Sequence, residues 1–532
     1  MSPASPDLHA ELDRFVDGEL PPEEAERFRE HLAGCAPCQA RLHERVQLAG
    51  MSQHALGGEA AGARVIRPSR WIARATAVAG VAMAASLALV ISGRLGGDPD
   101  PSLWLAAGAQ RPLEARLSTP AADRWRPYEM TRGAEPAPPP PLPELAKLEA
   151  RGKLVAIADA YLSRGAPEAA RPYLDRAGES PQAFSTRAAM DLMLGHPAEA
   201  LRHSARALAL RPGSGAARWN HALALRALGL SMAAAAELDQ VAAAGEPGWS
   251  GEAKQLAAPL RAEVERRRAA YASAKDLCQK AGRGEAPFPA DARDAPLSLL
   301  RSYFDDVLAR AGTAQAVRAL RPAAEALDAR SGGDGARRAV DRVLAQPFQG
   351  REALAREYAR LTDGDQDAGA LKALAERARR AGQLDLERQA LELLPERLQE
   401  VERQRALALA AADPWLLAVA DEHAAVRDMS GGRAGQALQI LEGRVKDCAT
   451  IDRAELRCLY AERGTALAHL VLGAGAEAGA MGLRALERAR REGNAVEERM
   501  VLMDLARAAE ARGDAALARA YAEEYRLRPV IP

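Results

Sequence analysis

From about residue 144 to the C-terminus, apolar positions return every three or four residues in runs broken by glycine. That is the period of an amphipathic helix rather than the alternation of a half-buried strand. The run AIADAYLSRGAPEAARPYLDRA sets the template, with Ala158, Tyr161, Gly165, Ala170, Leu174 and Ala177 as its small and large packing positions. Ala188, Gly195, Ala200 and Ala207 repeat the small positions, Pro212 closes that pair, and Ala222, Gly229 and Ala234 mark a third. Alanines 158, 188 and 222 are 30 and 34 residues apart, and so are 170, 200 and 234. A small residue where two helices cross lets their backbones approach, while leucine and tyrosine fill the remaining space. Segments such as LKALAERARRAGQLDLERQALELL and MVLMDLARAAEARGDAALARAYAEEYRLRP keep the texture in looser register. The pattern predicts helical repeats over 144–280 and 296–532, a continuous α-solenoid with a break at 281–295, GRGEAPFPADARDAP.

A different pattern occupies residues 75–93, ATAVAGVAMAASLALVISG, which carry no charge. At about 1.5 Å per residue this length approaches the roughly 30 Å of a bilayer's hydrocarbon core, so it reads as a single transmembrane helix; the competing reading is a buried alanine-rich helix. Arg64, Arg67, Arg70 and Arg74 in the juxtamembrane linker 51–74 precede it, and Arg94 alone follows closely. The positive-inside rule then puts the N-terminus in the cytoplasm and the large C-terminal part outside. Gly80 and Ala84 stand at a spacing that permits helix pairing in a membrane. Residues 94–143 form a connector whose run PAPPPPLP favours extended polyproline conformations. Within it, ARLSTPAADRWRPYEM is a small patch for which no mechanism follows from the residues alone.

Composition narrows the classes. Hydrophobic residues make up 48% of the chain and aromatics only 4%, so alanine and leucine do the packing and an all-α fold is expected. The 72 basic and 72 acidic side chains cancel, so no global field draws the protein to DNA or RNA. There are five cysteines. Cys35 and Cys38 would face a reducing cytosol, where a CxxC pair is metal-binding or redox-active rather than a structural disulfide. Cys448 and Cys458 would face the oxidising side, either joined across a short connection or as two buried helix cysteines. Cys278 reads as a small core residue.

The N-terminal 1–50 carry the most specific chemistry. A helix ending near Val16 and a turn at Asp17-Gly18-Glu19 lead to a second helix entered through Pro21-Pro22, with Glu23 and Glu24 beside its positive end. Residues i, i+4 and i+7 share a helix face, so His31, Cys35 and Cys38 are placed to converge on one ion. Zinc takes four nitrogen or sulfur ligands in a tetrahedron. His9 on the preceding helix is the best candidate for the fourth, with His43 behind it.

The run FVDGELPPEEAERFREHLAGCAPCQARL resembles the zinc-binding anti-sigma domain, with its DGEL turn followed by a HxxxCxxC helix. The resemblance spans roughly residues 7 to 48 and implies that His31, Cys35 and Cys38 bind Zn2+, with His9 carried over as the upstream ligand. It further implies a partner, a sigma factor of the extracytoplasmic-function type, which the module keeps from RNA polymerase. Residues 1–48 hold ten acidic and five basic side chains, net minus five, which suits such a partner. Because the large domain follows the span, a structural zinc is favoured over a redox-sensing one. The repeats from 144 resemble the tetratricopeptide (TPR) family in period and small-residue spacing. The order of modules also resembles bacterial membrane proteins in which a caspase-like CHAT peptidase follows the repeats, though no α/β segment with a His-Cys pair follows them here.

No GxxxxGK[ST] loop, GxSxG elbow or HExxH helix occurs, and the expectation is not an enzyme. It is instead a membrane-anchored anti-sigma factor of the bacterial inner membrane, whose outer TPR solenoid binds an unknown protein or peptide. The alternative is a membrane-tethered TPR scaffold without a role in sigma-factor regulation.

Overall fold

The computed structural model describes residues 111–128, 140–364, 366–450 and 457–531, together with Pro21, Glu24, Arg27, Phe28, His31 and Cys35. The candidate span 75–93 lies outside the described residues, and among those described no helix is long and apolar enough to cross a membrane. Every regular element described is a helix, apart from one isolated bridge between Arg111 and Tyr128. The helices segregate into two compact units, one within Met1–His196 and Arg206–Asn220, the other within Pro197–Ala205 and His221–Pro532.

The first unit holds α1 (Leu142–Ala150), α2 (Leu154–Leu162), α3 (Pro167–Arg176) and α4 (Pro181–Met193). Proline opens α3 and α4, where its missing N–H leaves no bond unmade, and the Ser180 hydroxyl caps α4 by accepting from Ala183 N at 3.1 Å. Gly165 turns α2 into α3 at φ +73, a left-handed value that a side chain would strain. Leu145, Leu148, Ala156, Ile157 and Ala160 form one apolar cluster, flanked by the stacked rings of Tyr161 and Tyr173. Helices α5 (Pro197–Leu210) and α6 (Gly215–Ala227) have residues in both units. The six alanines that set the repeat, 158, 170, 188, 200, 222 and 234, have no exposed surface at all, as close helix crossings require.

The second unit continues with α7 (Ser231–Ala243), α8 (Trp249–Gly282), α9 (Leu297–Arg310), α10 (Ala314–Ala319), α11 (Arg321–Ser331), α12 (Gly335–Leu344), α13 (Arg351–Asp363) and α14 (Ala368–Arg380). It ends with α15 (Leu384–Glu392), α16 (Val401–Ala411), α17 (Pro414–Ser430), α18 (Ala434–Thr450), α19 (Cys458–Val471), α20 (Gly475–Glu492), α21 (Ala495–Ala511) and α22 (Ala515–Leu527). Two features depart from a simple sequential stack. The stretch between α8 and α9 breaks the helices but not the core. Ala274 and Cys278, Ala290 and Ala295, and Leu300 and Phe304 belong to one cluster, with Phe288 edge-on to Phe304 at 5.5 Å.

The second departure is that the last helices return to early ones, α22 packing on α7 and α21 on α8. Buried Glu498 on α21 gathers Arg490 at 2.8 Å, Arg528 at 2.8 Å and Arg267 of α8 at 3.4 Å. Glu524 of α22 accepts from Ala233 N of α7 at 2.8 Å, and Arg490 donates to the Gly229 carbonyl at 2.7 Å. Gly229 has a φ of +73, a left-handed value that a side chain would strain, and a Cβ there would push that guanidinium aside.

A third polar tie lies deeper. Arg351 has no exposed surface. It donates to both Asp385 oxygens at 2.9 and 2.7 Å, to Gln383 at 2.6 Å, and to the Leu308 and Ala311 carbonyls at 3.0 and 2.9 Å. One guanidinium thereby joins the end of α9, the start of α13 and the start of α15. Removing one partner of a buried pair costs about 3–5 kcal/mol, so Arg351→Ala should lower the second unit's unfolding free energy by that amount in a denaturant titration. Arg526→Ala, which breaks only an exposed pair with Glu523, should leave it unchanged within the error of the titration.

Candidate functional site

Of the four expected metal ligands, the structure describes His31 and Cys35, while His9 and Cys38 lie outside the described residues. Glu24, Arg27, Phe28 and His31 are helical, and Glu24 N donates to Pro21 O at 3.0 Å, so a helix does start at the proline pair. Phe28 is wholly buried and its ring centroid lies 6.0 Å from that of His31, a neighbour one turn on. Both His31 and Cys35 are half-buried. Cys35 is not helical, which corrects the expectation that the ligands share one helix face. Gly34 and Pro37 are the reason available in the sequence, since glycine ends helices and proline cannot continue them. An imidazole on a helix and a thiol outside it are the donor types that suit a tetrahedral zinc ion. Among the described residues no group of three potential ligands comes together.

The structure joins Cys448 at the end of α18 to Cys458 at the start of α19, with Cα atoms 5.7 Å apart. Beside the bond, Arg457 takes a left-handed φ of 49. Its guanidinium pairs with both Glu422 oxygens at 2.7 Å and lies over the Tyr460 and Trp415 rings at 3.9 and 4.5 Å. The partners around Arg457 fix this unusual backbone. Cys278 is fully buried, and burial pushes its thiol up to about 12, which leaves it inert. His423 Nδ1 donates to Gln404 Oε1 at 2.7 Å, and burial holds its imidazole below the ordinary range. His221 sits 3.0 Å from the Ser204 hydroxyl.

The connector patch with no evident mechanism turns out to be built into the first unit. Arg111, Leu113, Ala115, Arg116 and Leu117 are all buried, in a non-helical segment that bends at 112, 114–115 and 118–119. Helices α2, α4 and α6 grip this strap mainly by its backbone. Asn220 of α6 accepts from Arg116 N at 2.8 Å and donates to Arg116 O at 2.8 Å. Trp219 Nε1 donates to Glu114 O at 2.8 Å. Ser118 Oγ donates to Gln182 O of α4 at 3.0 Å. The Arg111 guanidinium lies over the Trp219 and Tyr128 rings at 5.6 and 5.7 Å.

At the far end stands Asp159 of α2, with no exposed surface. One carboxylate oxygen accepts from Thr119 N at 2.8 Å and from the Thr119 hydroxyl; the other accepts from Thr186 Oγ1 of α4 at 2.9 Å. Burial raises the Asp159 carboxyl to about 6, against the pull of these hydrogen bonds. Asp159, Trp219 and Asn220 were not candidates in the sequence. The available signal was the apolar residues Leu113, Ala115 and Leu117 of the strap, too few to set a period.

Comparison with known proteins agrees with the N-terminal reading. Residues 7–39 match a family described as "Putative zinc-finger". No curated protein matches the chain. Among solved structures, the crystal structure of the P58(IPK) TPR domain is matched over 72% of this chain and 91% of that one, at 16% identity. Its TM-score of 0.22 is too low to carry an argument about the fold. Among the described residues the regular structure is helical, and the N-terminal segment is similar to a zinc-finger family.

Asp159 makes a prediction possible. Its carboxyl rises from an ordinary 3.8 to about 6 in the folded state, so folding takes up a proton between these values. The stabilisation is complete below about pH 4 and is lost as pH rises through about 6. The shift is worth about 3 kcal/mol. Thermal unfolding should therefore show wild type losing stability between pH 4 and 7, and Asp159→Asn should remove that slope.

Proposed function

We propose that this chain is a membrane-anchored anti-sigma factor. His9, His31, Cys35 and Cys38 would hold one Zn2+ and so tie the helix bearing His31 to the segments on either side of it. When bound, the ion supplies structural cross-linking and no catalysis. The observation that carries the reading is HxxxCxxC falling within residues 7–39, the stretch that matches the zinc-finger family. The net charge of minus five over residues 1–48 supports a partner whose working surfaces bind polymerase and DNA.

The charge-free stretch 75–93, with its arginines on the N-terminal side, supports one crossing of a bacterial inner membrane with the zinc module in the cytoplasm. The Cys448–Cys458 bond supports an oxidising location for the helical units. The outer helices would then receive the signal by binding a protein, and the inner module would respond by altering its hold on the sigma factor.

Full-length protein should contain one equivalent of zinc by elemental analysis, and His31→Ala or Cys35→Ser should remove it together with capture of a cognate sigma factor. Equal capture without zinc would contradict metal-dependent sequestration. Peptide mapping without reductant should recover Cys448 and Cys458 as a linked pair. Cys458→Ala should cost about 3 kcal/mol of stability, the amount expected for freeing a short closed loop.

A further inference from the structure

We propose that the strap at residues 111–119 is an intramolecular ligand occupying a peptide-reading groove on α2, α4 and α6, and that a partner's extended segment of the same pattern binds by displacing it. The inference rests on the reading of the helical units as a protein-binding part. It does not rest on the sigma factor, and its test uses none.

The groove's contacts are of a kind that another chain could make. Asn220 reads one N–H and one carbonyl of the same residue, Trp219 reads a carbonyl, and Asp159 reads an N–H. These are main-chain groups that any extended peptide carries, and side-chain pockets then supply selectivity, as in other modes of extended-peptide capture. Here the pockets take Leu113, Ala115 and Leu117. Asp159 also takes the Thr119 hydroxyl, and Gln182 O takes that of Ser118. The preferred partner is therefore an extended segment with apolar, small and apolar residues at alternate positions, followed by two hydroxyl residues. Proline is excluded at the last position because its nitrogen has no proton to offer Asp159.

The strap is a non-helical segment laid against the helix pairs. It adds no helix and holds itself in shape locally, with Arg116 paired to Asp123 by two bonds of 2.7 Å and Arg111 N bonded to Pro127 O at 2.9 Å. Arg116 N and O, Glu114 O and Thr119 N are met by side chains of the helices. Because it is tethered, it competes at a high effective concentration, so a free peptide meets a groove that is open only a fraction of the time. Apparent affinity falls by that fraction.

The test uses the full-length chain and a fluorescently labelled peptide of residues 111–124 as the probe. Leu117→Asp loosens the strap, and the probe should then bind at least about tenfold more tightly than to wild type. Adding Asn220→Ala to Leu117→Asp should return binding to the wild-type level or below. A loosened chain of unchanged helix content that binds no better than wild type overturns the proposal. Should Leu117→Asp lose its helices, hydrogen exchange of the wild type decides. Exchange of the Arg116 and Thr119 amides well ahead of those in α2 and α4 supports a strap that opens on its own. Exchange of all of them together overturns it.

Discussion

A carboxylate cut off from water has to be hydrogen-bonded, neutral or both, and Asp159 places that demand in the middle of the first unit. Its partners come from α4 and from a segment far upstream in sequence, Thr186 on one side and Thr119 on the other. With the strap absent, only Thr186 would answer it. The polar residue that α2 buries is thus one of the ties that hold residues 111–119 against the helices. The same logic explains Asn220, a fully buried amide whose oxygen and nitrogen both engage one strap residue.

The rest of the architecture is built on a different rule. Alanine at each crossing brings helix backbones close, and with few aromatic side chains to enlarge the core, buried arginine–carboxylate networks tie distant helices together. Arg351 and Glu498 each bind three or more partners. Such networks are stabilising only as complete sets. They fix which helices meet rather than adding much to net stability. In the second unit this selects the return of α21 and α22 to α8 and α7.

Much of this was legible in the residues. The alanine spacing and its glycine turns marked the helix pairs, and all six alanines are fully buried. The 281–295 stretch was recognisable as a helix break, yet Ala290 and Ala295 lie in the same core as Cys278 and Phe304, because two small apolar residues in a proline-rich stretch give no periodic signal. The pairing of Glu498 with Arg267 is likewise invisible, since an ion pair between distant positions leaves no local pattern. Of the metal ligands, His31 keeps its helical place. Cys35 lies outside the helix and so does not share a helix face with His31. The strap was seen as a patch, but its role depended on Asp159 and Asn220, which belong to helices read for their apolar faces alone.

The proposed function combines two parts, an N-terminal segment similar to a zinc-finger family and helices that hold residues 111–119 against them. The seat of the strap on Asp159 is the point at which the second can be examined without any partner. Carbon NMR of the Asp159 carboxyl in the full-length chain, followed through a pH titration, reads that seat directly. A midpoint of about 6 is expected with the strap docked over the carboxylate. A midpoint at the ordinary 3.8 would mean that water reaches Asp159 and that residues 111–119 do not lie where the structure puts them.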